Sequence, residues 1–231
     1  METLAQDFRY AVRGLVRMRG VALVAIATLA LGIGATTTMF SVVYGALLRP
    51  LPFTDPDRLV ILFNTLVTPR DGLSRLRWSR PHITDLQASA QSFDRIASFT
   101  STLVATSGAG DPEHLDGEVV SPEYFRALRV TPVAGRTFTA EEDTVSAEPV
   151  TIISTRLWRR RFEADPAIVG KTMTINDVPL TIVGILPDGF AGLSGKAEFW
   201  MPPPMAARLT YADYLTTPQH FISVVARLRT A

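Results

Sequence analysis

Residues 21–48 read VALVAIATLALGIGATTTMFSVVYGALL, and this stretch organises the rest of the chain. It has no charged side chain in 28 positions, whereas roughly 20 apolar residues already span the hydrocarbon core of a bilayer. A buried helix of a soluble fold is one alternative, but uncharged runs of this length are rare there. A cleaved signal peptide is another, but its apolar region covers only about 7 to 15 residues. We therefore expect an uncleaved transmembrane helix over residues 21–48.

The residues before this span are more basic than acidic. They carry Arg9, Arg13, Arg17 and Arg19 against Glu2 and Asp7. Basic residues favour the cytoplasmic side of a membrane, so we expect a cytoplasmic N-terminus and a main domain on the other side. Arg49 and Arg58 follow the span and keep the opposite orientation open. Within residues 1–20, apolar and basic side chains fall on different faces at helical spacing, which predicts an amphipathic helix on the cytoplasmic membrane surface.

Small residues lie along one face of the predicted span. Ala30, Gly34 and Thr38 are four residues apart in succession, and small side chains let a second helix approach closely. One interpretation is a packing face for partner transmembrane helices, and the other is that small residues are simply common in membrane helices. Gly32 and Gly34 match part of a dinucleotide-binding pattern, but that pattern needs a preceding strand and an aqueous site.

Composition narrows the possible functions. The 231 residues carry a net charge of +1 and no cysteine. A nearly neutral chain has no overall attraction for nucleic acid, and a chain without cysteine has no disulfide, thiolate metal site or cysteine nucleophile. After residue 48 the sequence changes to short segments divided by proline and glycine, which is typical of a mixed α/β domain.

Strands and helices of this domain are predicted from residue patterns. The predicted strands are 59–63, 97–106, 115–120, 150–153, 172–175, 180–186 and 221–228. Three helices are predicted over residues 80–90, 122–128 and 155–162, because each follows a serine that marks a helix start, with proline beside the first two. Asn176 and Asp177 tolerate left-handed backbone and predict a hairpin turn. Residues 134–148 and 188–197 are predicted to be surface loops.

The histidines give no metal or catalytic pattern. His82, His114 and His220 are far apart in the sequence, and none has the partner four residues away that a helical zinc site requires. We interpret each as a solvated or structural side chain. Gly170-Lys171-Thr172 copies the end of a phosphate-binding loop, but a strand is predicted where that loop must open a helix. We interpret it as a turn before a hairpin.

Two charged runs also fail to predict a site. Residues 141–143 (Glu-Glu-Asp) are adjacent acids in a predicted loop, where such side chains usually face water rather than hold a cation. Residues 159–161 (Arg-Arg-Arg) fan around a short helix, so we interpret them as a solvated or domain-bracing face rather than a nucleic-acid site. We therefore assign no catalytic, cofactor-binding or metal-binding residue.

A family resemblance emerges at the residues that follow the span. LRPLPF at 48–53 and DPDRLV at 55–60 resemble the start of a MacB-like periplasmic core domain. Further matches follow in order: FD at 93–94, VSPEYF at 120–125, GRTF at 135–138, LWRRRF at 157–162, DPAIVGK at 165–171, VGILP at 183–187 and WMP at 200–202. Each motif is weak alone, but their order over almost the whole chain is specific. Within this family, the chain looks most similar to the duplicated orphan permeases of ABC transport systems in acidobacteria and related bacteria.

The resemblance implies an α/β (mixed α+β) periplasmic domain of two subdomains over residues 49–231, after one transmembrane helix in a bacterial inner membrane. It implies the membrane subunit of an ABC-type export or lipoprotein-handling system, whose periplasmic domain couples ATP-driven motion to periplasmic events. The implied partners are membrane lipid, a separate ABC ATPase, further permease helices or a second permease copy, and a periplasmic adaptor, with no nucleic acid. The family has no active site or cofactor to transfer, because ATP is hydrolysed on the separate subunit.

The chain departs from the family pattern in two ways. Relatives often have glycine in the hairpin turn and after the second helix, where this chain has Asn176-Asp177 and Leu128-Arg129-Val130. The family continues into further transmembrane helices, whereas this sequence ends at Ala231, so we expect a truncated permease or a component that needs other chains. Two other functions stay open: a free-standing membrane-anchored binding or scaffold module, and an anchored envelope hydrolase, although no G-x-S-x-G nucleophile motif is present.

Overall fold

The computed structural model describes residues 18–44, 53–68, 72–107 and 113–229, which fall into two compact units, Met1–Leu51 and Pro52–Ala231. The first unit contains one long helix, α1 (Arg19–Val43). Its 25 residues rise about 37 Å, more than the roughly 30 Å of a bilayer core. Its apolar side chains are exposed, Leu31 and Met39 by 78% and 72%, as contact with lipid requires. Among the described residues, Arg19–Ser41 is the segment long and apolar enough to cross a membrane.

A helix is therefore confirmed over residues 21–43 of the predicted span. Polar side chains of this helix find hydrogen-bond partners within the helix. The hydroxyls of Thr36 and Thr38 each donate to the carbonyl four residues earlier at 2.8 Å. Residues 45–48 of the predicted span, and the predicted amphipathic helix up to residue 17, lie outside the described residues.

The second unit is a mixed α/β domain, as the sequence predicts. Its helices are α2 (Arg80–Ser89), α3 (Glu123–Leu128), α4 (Thr155–Phe162) and α5 (Pro203–Leu209), and short 3-10 turns cover Pro56–Arg58 and Ala140–Asp143. Its strands are β1 (Leu59–Leu62), β2 (Asn64–Thr68), β3 (Gly72–Leu76), β4 (Phe93–Ser107), β5 (His114–Val120), β6 (Ala134–Gly135), β7 (Val150–Ser154), β8 (Thr172–Ile175), β9 (Val178–Leu186), β10 (Phe199–Met201) and β11 (Ser223–Leu228).

The three predicted helices are confirmed and begin where their start signals lie. The Ser154 hydroxyl accepts the backbone N–H of Leu157 at 3.0 Å, which caps α4. α3 and α4 end at Arg129 and Glu163, whose φ angles of 55° and 51° are left-handed. A residue in this conformation ends many helices, and it is usually glycine.

Nine strands form one mixed sheet in the order β1-β11-β4-β5-β10-β7-β9-β6, and β8 pairs with both β4 and β9. β10 runs parallel to β5 and β7 runs parallel to β9, while the other pairs are antiparallel. Pairing from β4 through β5, β10, β7, β9 and β8 returns to β4, so these strands close into a ring. β2 and β3 form a separate two-stranded hairpin.

The core consists of two clusters of buried side chains on opposite faces of this sheet. Neighbouring strand residues fall in different clusters, as Val119 and Val120 do in β5 and Val224 and Val225 in β11. Helices α2, α4 and α5 cover the first face, and α3 with the loop 188–197 covers the second. The resemblance implied two subdomains; in this chain the two clusters share one sheet within one compact unit.

Some elements were missed or predicted wrongly from the sequence. The hairpin β2–β3, strand β10 and helix α5 lie in segments where no element was predicted. Residues 134–148, predicted to be a surface loop, include β6 and a 3-10 turn, and Phe138 within them is only 1% exposed. The turn at Asn176 and Asp177 is confirmed, with φ angles of 45° and 65°.

Candidate functional site at the start of the folded domain

The segment that follows the membrane helix in sequence is held to the folded domain by arginines from three elements. We call these residues, Thr54, Asp55, Arg58, Arg129 and Arg227, the junction clamp. Asp55 has a left-handed φ of 50°, and its carbonyl accepts the N–H of Arg58 at 3.2 Å. This tight turn directs the chain into β1. Arg129 ends α3, and Arg227 lies in β11 on the face that α3 covers.

Arg227 is the centre of the clamp. Its side chain is only 1% exposed, and its guanidinium donates to three main-chain carbonyls. Nε reaches Ala127 at 2.6 Å, Nη2 reaches Thr54 at 2.9 Å and Nη1 reaches Asp55 at 3.2 Å. Burial, and next the charge of Arg129, lower the pKa of Arg227 from its ordinary value, yet a guanidinium stays protonated at physiological pH. A buried side chain that offers only donors thus joins the start of the domain, the end of α3 and the last strand.

Further contacts hold the same elements together. β1 pairs with β11 from Leu59 opposite Arg227 to Leu62 opposite Val224. The guanidinium of Arg58 donates to the carbonyl of Leu228, and Arg129 forms an ion pair with the carboxylate of Asp55. The first and last strands that the structure describes in this domain are therefore adjacent and cross-linked by polar contacts. This arrangement has no nucleophile or free base; what it can do is carry a displacement from one strand to the other.

A second conspicuous cluster surrounds the fully buried carboxylate of Glu118. Oε2 accepts the Tyr124 hydroxyl at 2.7 Å and the Trp200 indole N–H at 2.9 Å, while Oε1 accepts the N–H of Ser194 at 2.6 Å. A Cβ added at Gly192 would lie 2.2 Å from Oε2. The carboxylate is thus enclosed by donors and by the loop 188–197, which leaves no space for a substrate. It fixes that loop to the sheet, so we interpret Glu118 as a bracing residue.

The structure brings together two histidines that the sequence separates. The rings of His82 and His220 lie 5.4 Å apart between centroids, and the Ser79 hydroxyl lies 3.1 Å from Nδ1 of His82. Both histidines are exposed, as is His114 on β5. Within the described ranges no group of three or more metal-binding side chains occurs. The interpretation as solvated side chains holds, but sequence distance did not reveal that two of them are neighbours.

The prediction that the acids at 141–143 face water is wrong for two of them. Glu142 is 8% exposed, accepts from Arg136 at 2.7 and 3.0 Å, and accepts the N–H of Thr139 at 2.8 Å. The reason is a capping box, in which Glu142 and Thr139 close the first turn of a short helix. Asp143 pairs with Arg80 at 2.7 Å, and burial raises the pKa of Asp143.

The arginines at 159–161 brace the domain, as one of their two interpretations proposed. Arg160 contacts Glu198 at 2.6 and 3.0 Å, and Arg159 pairs with Asp188 at 2.9 Å. The phosphate-loop likeness at Gly170-Lys171-Thr172 is a turn before β8, as predicted. Gly170 has a φ of +92° there, and Lys171 contacts the carboxylate of Asp165 at 2.5 Å.

The predicted packing residues of the membrane helix face outward. Ala30, Gly34 and Thr38 are all exposed on α1, and a Cβ added at Gly34 meets no atom within 4 Å. Nearly all described side chains of α1 are exposed in the same way, so the assignment of this face as a packing face stays a prediction.

A cavity of about 340 Å³ opens on the face of the sheet that α5 covers. Aromatic and small polar side chains line it, among them Thr100, Thr102, Tyr211, Tyr214 and Phe221. Its size is at the lower end of small-molecule sites, and no charged side chain lines it.

Comparisons with known proteins point to one family. The sequence model of the MacB-like periplasmic core domain matches residues 22–231. No match is found among curated proteins. The chain is similar in structure to the extracellular domain of the noncanonic ABC-type transporter YknZ from Gram-positive bacteria, with a TM-score of 0.57, 14% identity and coverage of 75% of this chain and 84% of that one. It is also similar to the periplasmic region of MacB from Actinobacillus actinomycetemcomitans, with a TM-score of 0.55, 15% identity and 74% coverage of each chain. At these identities the likeness to solved structures shows the fold alone.

Proposed function

This chain belongs to the MacB-like periplasmic core domain family, and from that premise we propose that it is the N-terminal part of the membrane subunit of an ABC-type export or lipoprotein-handling system. The periplasmic domain, residues 49–231, couples ATP-driven movement of transmembrane helices to a periplasmic partner or substrate. ATP is hydrolysed on a separate subunit, and this chain performs no catalysis of its own. The family match and the fold shared with a domain of an ABC-type transporter support the proposal.

The junction clamp is the observation that carries the coupling role. A domain that transmits movement must be stiff where the membrane segment meets it. Main-chain carbonyls of Thr54 and Asp55 are bound by a buried guanidinium of the last strand, so displacing this segment displaces β11 as well. Breaking the contact would remove the charged donor of these two carbonyls, although the carbonyl of Asp55 keeps the N–H of Arg58. A hydrogen bond to a charged group contributes about 1.5–3 kcal/mol.

The proposed topology places the N-terminus in the cytoplasm, residues 1–20 on the cytoplasmic membrane surface, residues 21–48 across a bacterial inner membrane and the domain in the periplasm. Ala30, Gly34 and Thr38 form the face against which further permease helices or a second permease copy pack. The remaining proposed partners are membrane lipid, an ABC ATPase and a periplasmic adaptor.

A matched pair of glycine variants tests the packing face. Gly34→Leu closes the proposed face, whereas Gly32→Leu, two residues away, projects to the other side, and an added Cβ meets no atom at either position. We expect Gly34→Leu to weaken association with partner helices on the order of tenfold, about 1.4 kcal/mol, and Gly32→Leu to have little effect. Cross-linking in native membranes measures this. If the two substitutions weaken association equally, the face of Ala30, Gly34 and Thr38 is not the packing face.

Vanadate trapping of the ATPase tests the coupling. The chain has no cysteine, so a spin label at Leu103→Cys, on the exposed side of β4, reports distances between subunits in the purified assembly. We expect trapping to change the label distance in the parent protein, and Arg227→Met to reduce that change while ATP hydrolysis continues. If trapping never changes the distance, or if no ABC ATPase accompanies the chain, the coupling role is wrong.

The cavity beside Tyr211 and Phe221 favours a second candidate, a free-standing membrane-anchored binding module. Such a module would keep its ligand affinity without an ATPase. Failure of the ATPase to co-purify, together with ligand-dependent stabilisation that Phe221→Ala removes, would favour it over the permease.

A further inference from the structure

The long strand β4 has an open edge between two of its partners. On the side away from β5, its pairing with β11 ends where Ser223 lies opposite Phe99, and its pairing with β8 begins where Ile175 lies opposite Thr106. We propose that an extended peptide segment of a periplasmic partner pairs with residues 100–105, which we call the open edge, and places an uncharged aromatic or apolar side chain in the adjoining cavity. The location of that partner in the periplasm rests on the proposed function.

Two residues of the open edge direct their main-chain groups away from β5. In an antiparallel pair, successive residues bond to opposite neighbours. The N–H of Thr106 donates to Glu113 on the β5 side at 2.9 Å, whereas the carbonyl of Ala105 accepts a donor on the β8 side. Ser101 and Leu103 therefore direct N–H and C=O groups out of the open edge, where no described strand meets them. This alternation of donors and acceptors matches the backbone of an added strand.

The segment before β11 turns away from the open edge instead of covering it. Continuation of the β4–β11 register would place Phe221 opposite Ser101. Instead, the carbonyl of Phe221 accepts the hydroxyl of Thr100 at 3.1 Å. The Phe221 ring packs against those of Tyr211 and Tyr214, with centroid distances of 5.8 and 5.5 Å. The course of the chain thus leaves the edge open and builds an aromatic wall beside it.

The cavity next to this wall selects the side chain of the bound segment. It has a volume of about 340 Å³, and Ser101 and Thr102 of the open edge belong to its lining. No charged side chain lines it, so a charged residue of the partner would be buried without an opposite charge. Successive residues of a strand project to opposite faces. The partner residue opposite Thr102 therefore enters the cavity, while its two neighbours lie beside Ser101 and Leu103.

The open edge lacks the usual protection of an exposed strand. Proteins shield such edges with charged side chains, proline or bulges. Residues 99–107 read FTSTLVATS, without a charge or a proline, and Leu103 among them is 60% exposed. An unshielded edge with an exposed apolar side chain favours pairing with another chain.

The position of the open edge within the sheet favours an extended segment over a second copy of this chain. β11 at one end and β8 at the other lie in the row that an added strand would occupy. In a second copy the same stretch is flanked in the same way, so the two folded sheets would collide before these edges met. An extended loop or tail has no such flanks. The gap of residues 100–105 is about 20 Å long, at about 3.4 Å per residue, which suits a short segment.

A peptide designed for this register tests the site. The probe is acetyl-Gly-Val-Phe-Thr-Gly-amide, written to run antiparallel to β4 with Val opposite Leu103, Phe opposite Thr102 and Thr opposite Ser101. Saturation-transfer NMR with the full chain in lipid nanodiscs measures binding, and empty nanodiscs control for adsorption to lipid. We expect the strongest transfer at the Phe ring, and loss of binding when Glu replaces Phe. No Phe-dependent signal at millimolar peptide would overturn the proposal.

Methylation of single peptide nitrogens separates strand pairing from simple occupation of the cavity. In this register the N–H groups of the peptide's Val and Thr bond to Leu103 and Ser101, whereas that of Phe points away. We expect N-methylation of Val or Thr to weaken binding about fivefold, as the loss of one hydrogen bond implies. N-methylation of Phe is the matched control and should have little effect. Equal effects at the three nitrogens would overturn strand pairing.

A matched pair of protein variants tests the edge itself. Ser101→Pro removes an outward N–H and leaves the ladder to β5 intact, whereas Ser101→Ala keeps that N–H. We expect Ser101→Pro to weaken binding of the probe about fivefold or more and Ser101→Ala to bind like the parent. Binding that survives Ser101→Pro would assign the cavity to a small apolar ligand and overturn strand pairing. Association of copies that Ser101→Pro removes, without binding of the probe, would assign the edge to a second copy and overturn it as well. None of these measurements needs the ATPase, so the vanadate experiment decides the coupling role separately.

Discussion

Asp55 and Arg129 both have left-handed backbone conformations, with φ angles of 50° and 55°, and their side chains form an ion pair across 74 residues of sequence. Each conformation costs about 1–2 kcal/mol for a residue with a side chain. The ion pair is almost half exposed, and exposed pairs contribute only about 0–1 kcal/mol. The chain thus keeps two strained residues where glycine would fit, and both belong to the junction clamp.

We expect Arg129→Gly to be about as stable as the parent, within about 1 kcal/mol, because relief of strain offsets the lost ion pair. Arg129→Ala keeps the strain and loses the pair, so it should be less stable than Arg129→Gly. Thermal unfolding of the full chain in detergent, followed by tryptophan fluorescence, measures both. A glycine variant less stable than the alanine variant would show that strain is not the dominant cost at this position.

Removal of the buried guanidinium should have a larger effect. Arg227→Met removes a donor from three carbonyls, of which that of Asp55 keeps the N–H of Arg58 and that of Ala127 belongs to a fully buried residue. We therefore expect a loss of about 1–3 kcal/mol in the free energy of unfolding. Arg227→Lys keeps the charge but cannot donate to three separate acceptors in the same geometry, so its loss should be smaller than that of Arg227→Met. Arg229→Met is the control, because Arg229 is exposed and lies directly after the same strand. A loss at Arg227 no greater than at Arg229 would contradict the central role of Arg227 in the clamp.

Position 117 requires glycine because a neighbouring side chain leaves no room for a Cβ, and not because of its backbone conformation. It lies opposite Phe199 in the β5–β10 pair, and an added Cβ would lie 2.2 Å from the Phe199 ring. We expect Gly117→Ala to cost about 1–3 kcal/mol through overpacking. Gly170→Ala is a matched control that meets no atom but has a φ of +92°.

Double variants distinguish the cause of the stability loss at Gly117 from that at Gly170. Phe199→Leu should recover part of the loss at Gly117 and none of the loss at Gly170, because only the first pair is in contact. Denaturant unfolding of the parent, the three single variants and the two double variants measures the coupling. Equal recovery at both glycines would mean that the cost at Gly117 is not a clash with the Phe199 ring.

Alkaline pH should destabilise the domain through buried tyrosines. Burial, and next the charge of Glu118, raise the pKa of Tyr124 well above its ordinary value of 10.0, and burial also raises the pKa of Tyr214. The folded state therefore holds these protons more tightly than the unfolded state. Their contribution to stability is complete below pH 10 and is lost as the pH rises further, by up to about 1.4 kcal/mol per pH unit for each tyrosine.

Unfolding free energies measured at increasing pH, with tyrosinate absorbance recorded in parallel, check this expectation. Tyr124→Phe should be less stable at neutral pH, because it loses the bond to Glu118, but its stability should fall less steeply in alkali. A slope unchanged by Tyr124→Phe would show that another group causes the alkaline loss.

Much of the fold follows from local sequence signals. Ser154 caps α4 as predicted, Asn176 and Asp177 turn the β8–β9 hairpin, and the start of β8 at Thr172 is where the pattern places it. Strand β10 was missed because three residues before a proline give no alternation to detect, although Phe199 is fully buried. Local signals succeed where a residue's own backbone preference decides its conformation.

The candidate site could not be predicted in this way. Arg227 looks in sequence like a polar residue near the end of a strand, and its burial depends on carbonyls more than 90 positions away. Glu118 occupies an inward strand position and is acceptable there only because Tyr124, Ser194 and Trp200 supply donors. Apart from Tyr124, these partners lie more than 70 positions away in the chain, and contacts at such distances leave no periodic signal in either segment. The family resemblance predicted where the domain lies in the sequence, whereas the residues of the junction clamp could be identified only from the structure.

The pairing of β1 with β11 has one more consequence. Because Leu59 lies directly opposite Arg227, the first and last described strands of the domain are neighbours at one edge of its sheet. When the chain enters and leaves a folded unit on neighbouring strands, the two connections lie close together, and movement of one connection acts directly on the other. The opposite edge, at β6, is closely packed, since a Cβ added at Gly135 would lie 2.2 Å from the carbonyl oxygen of Val183.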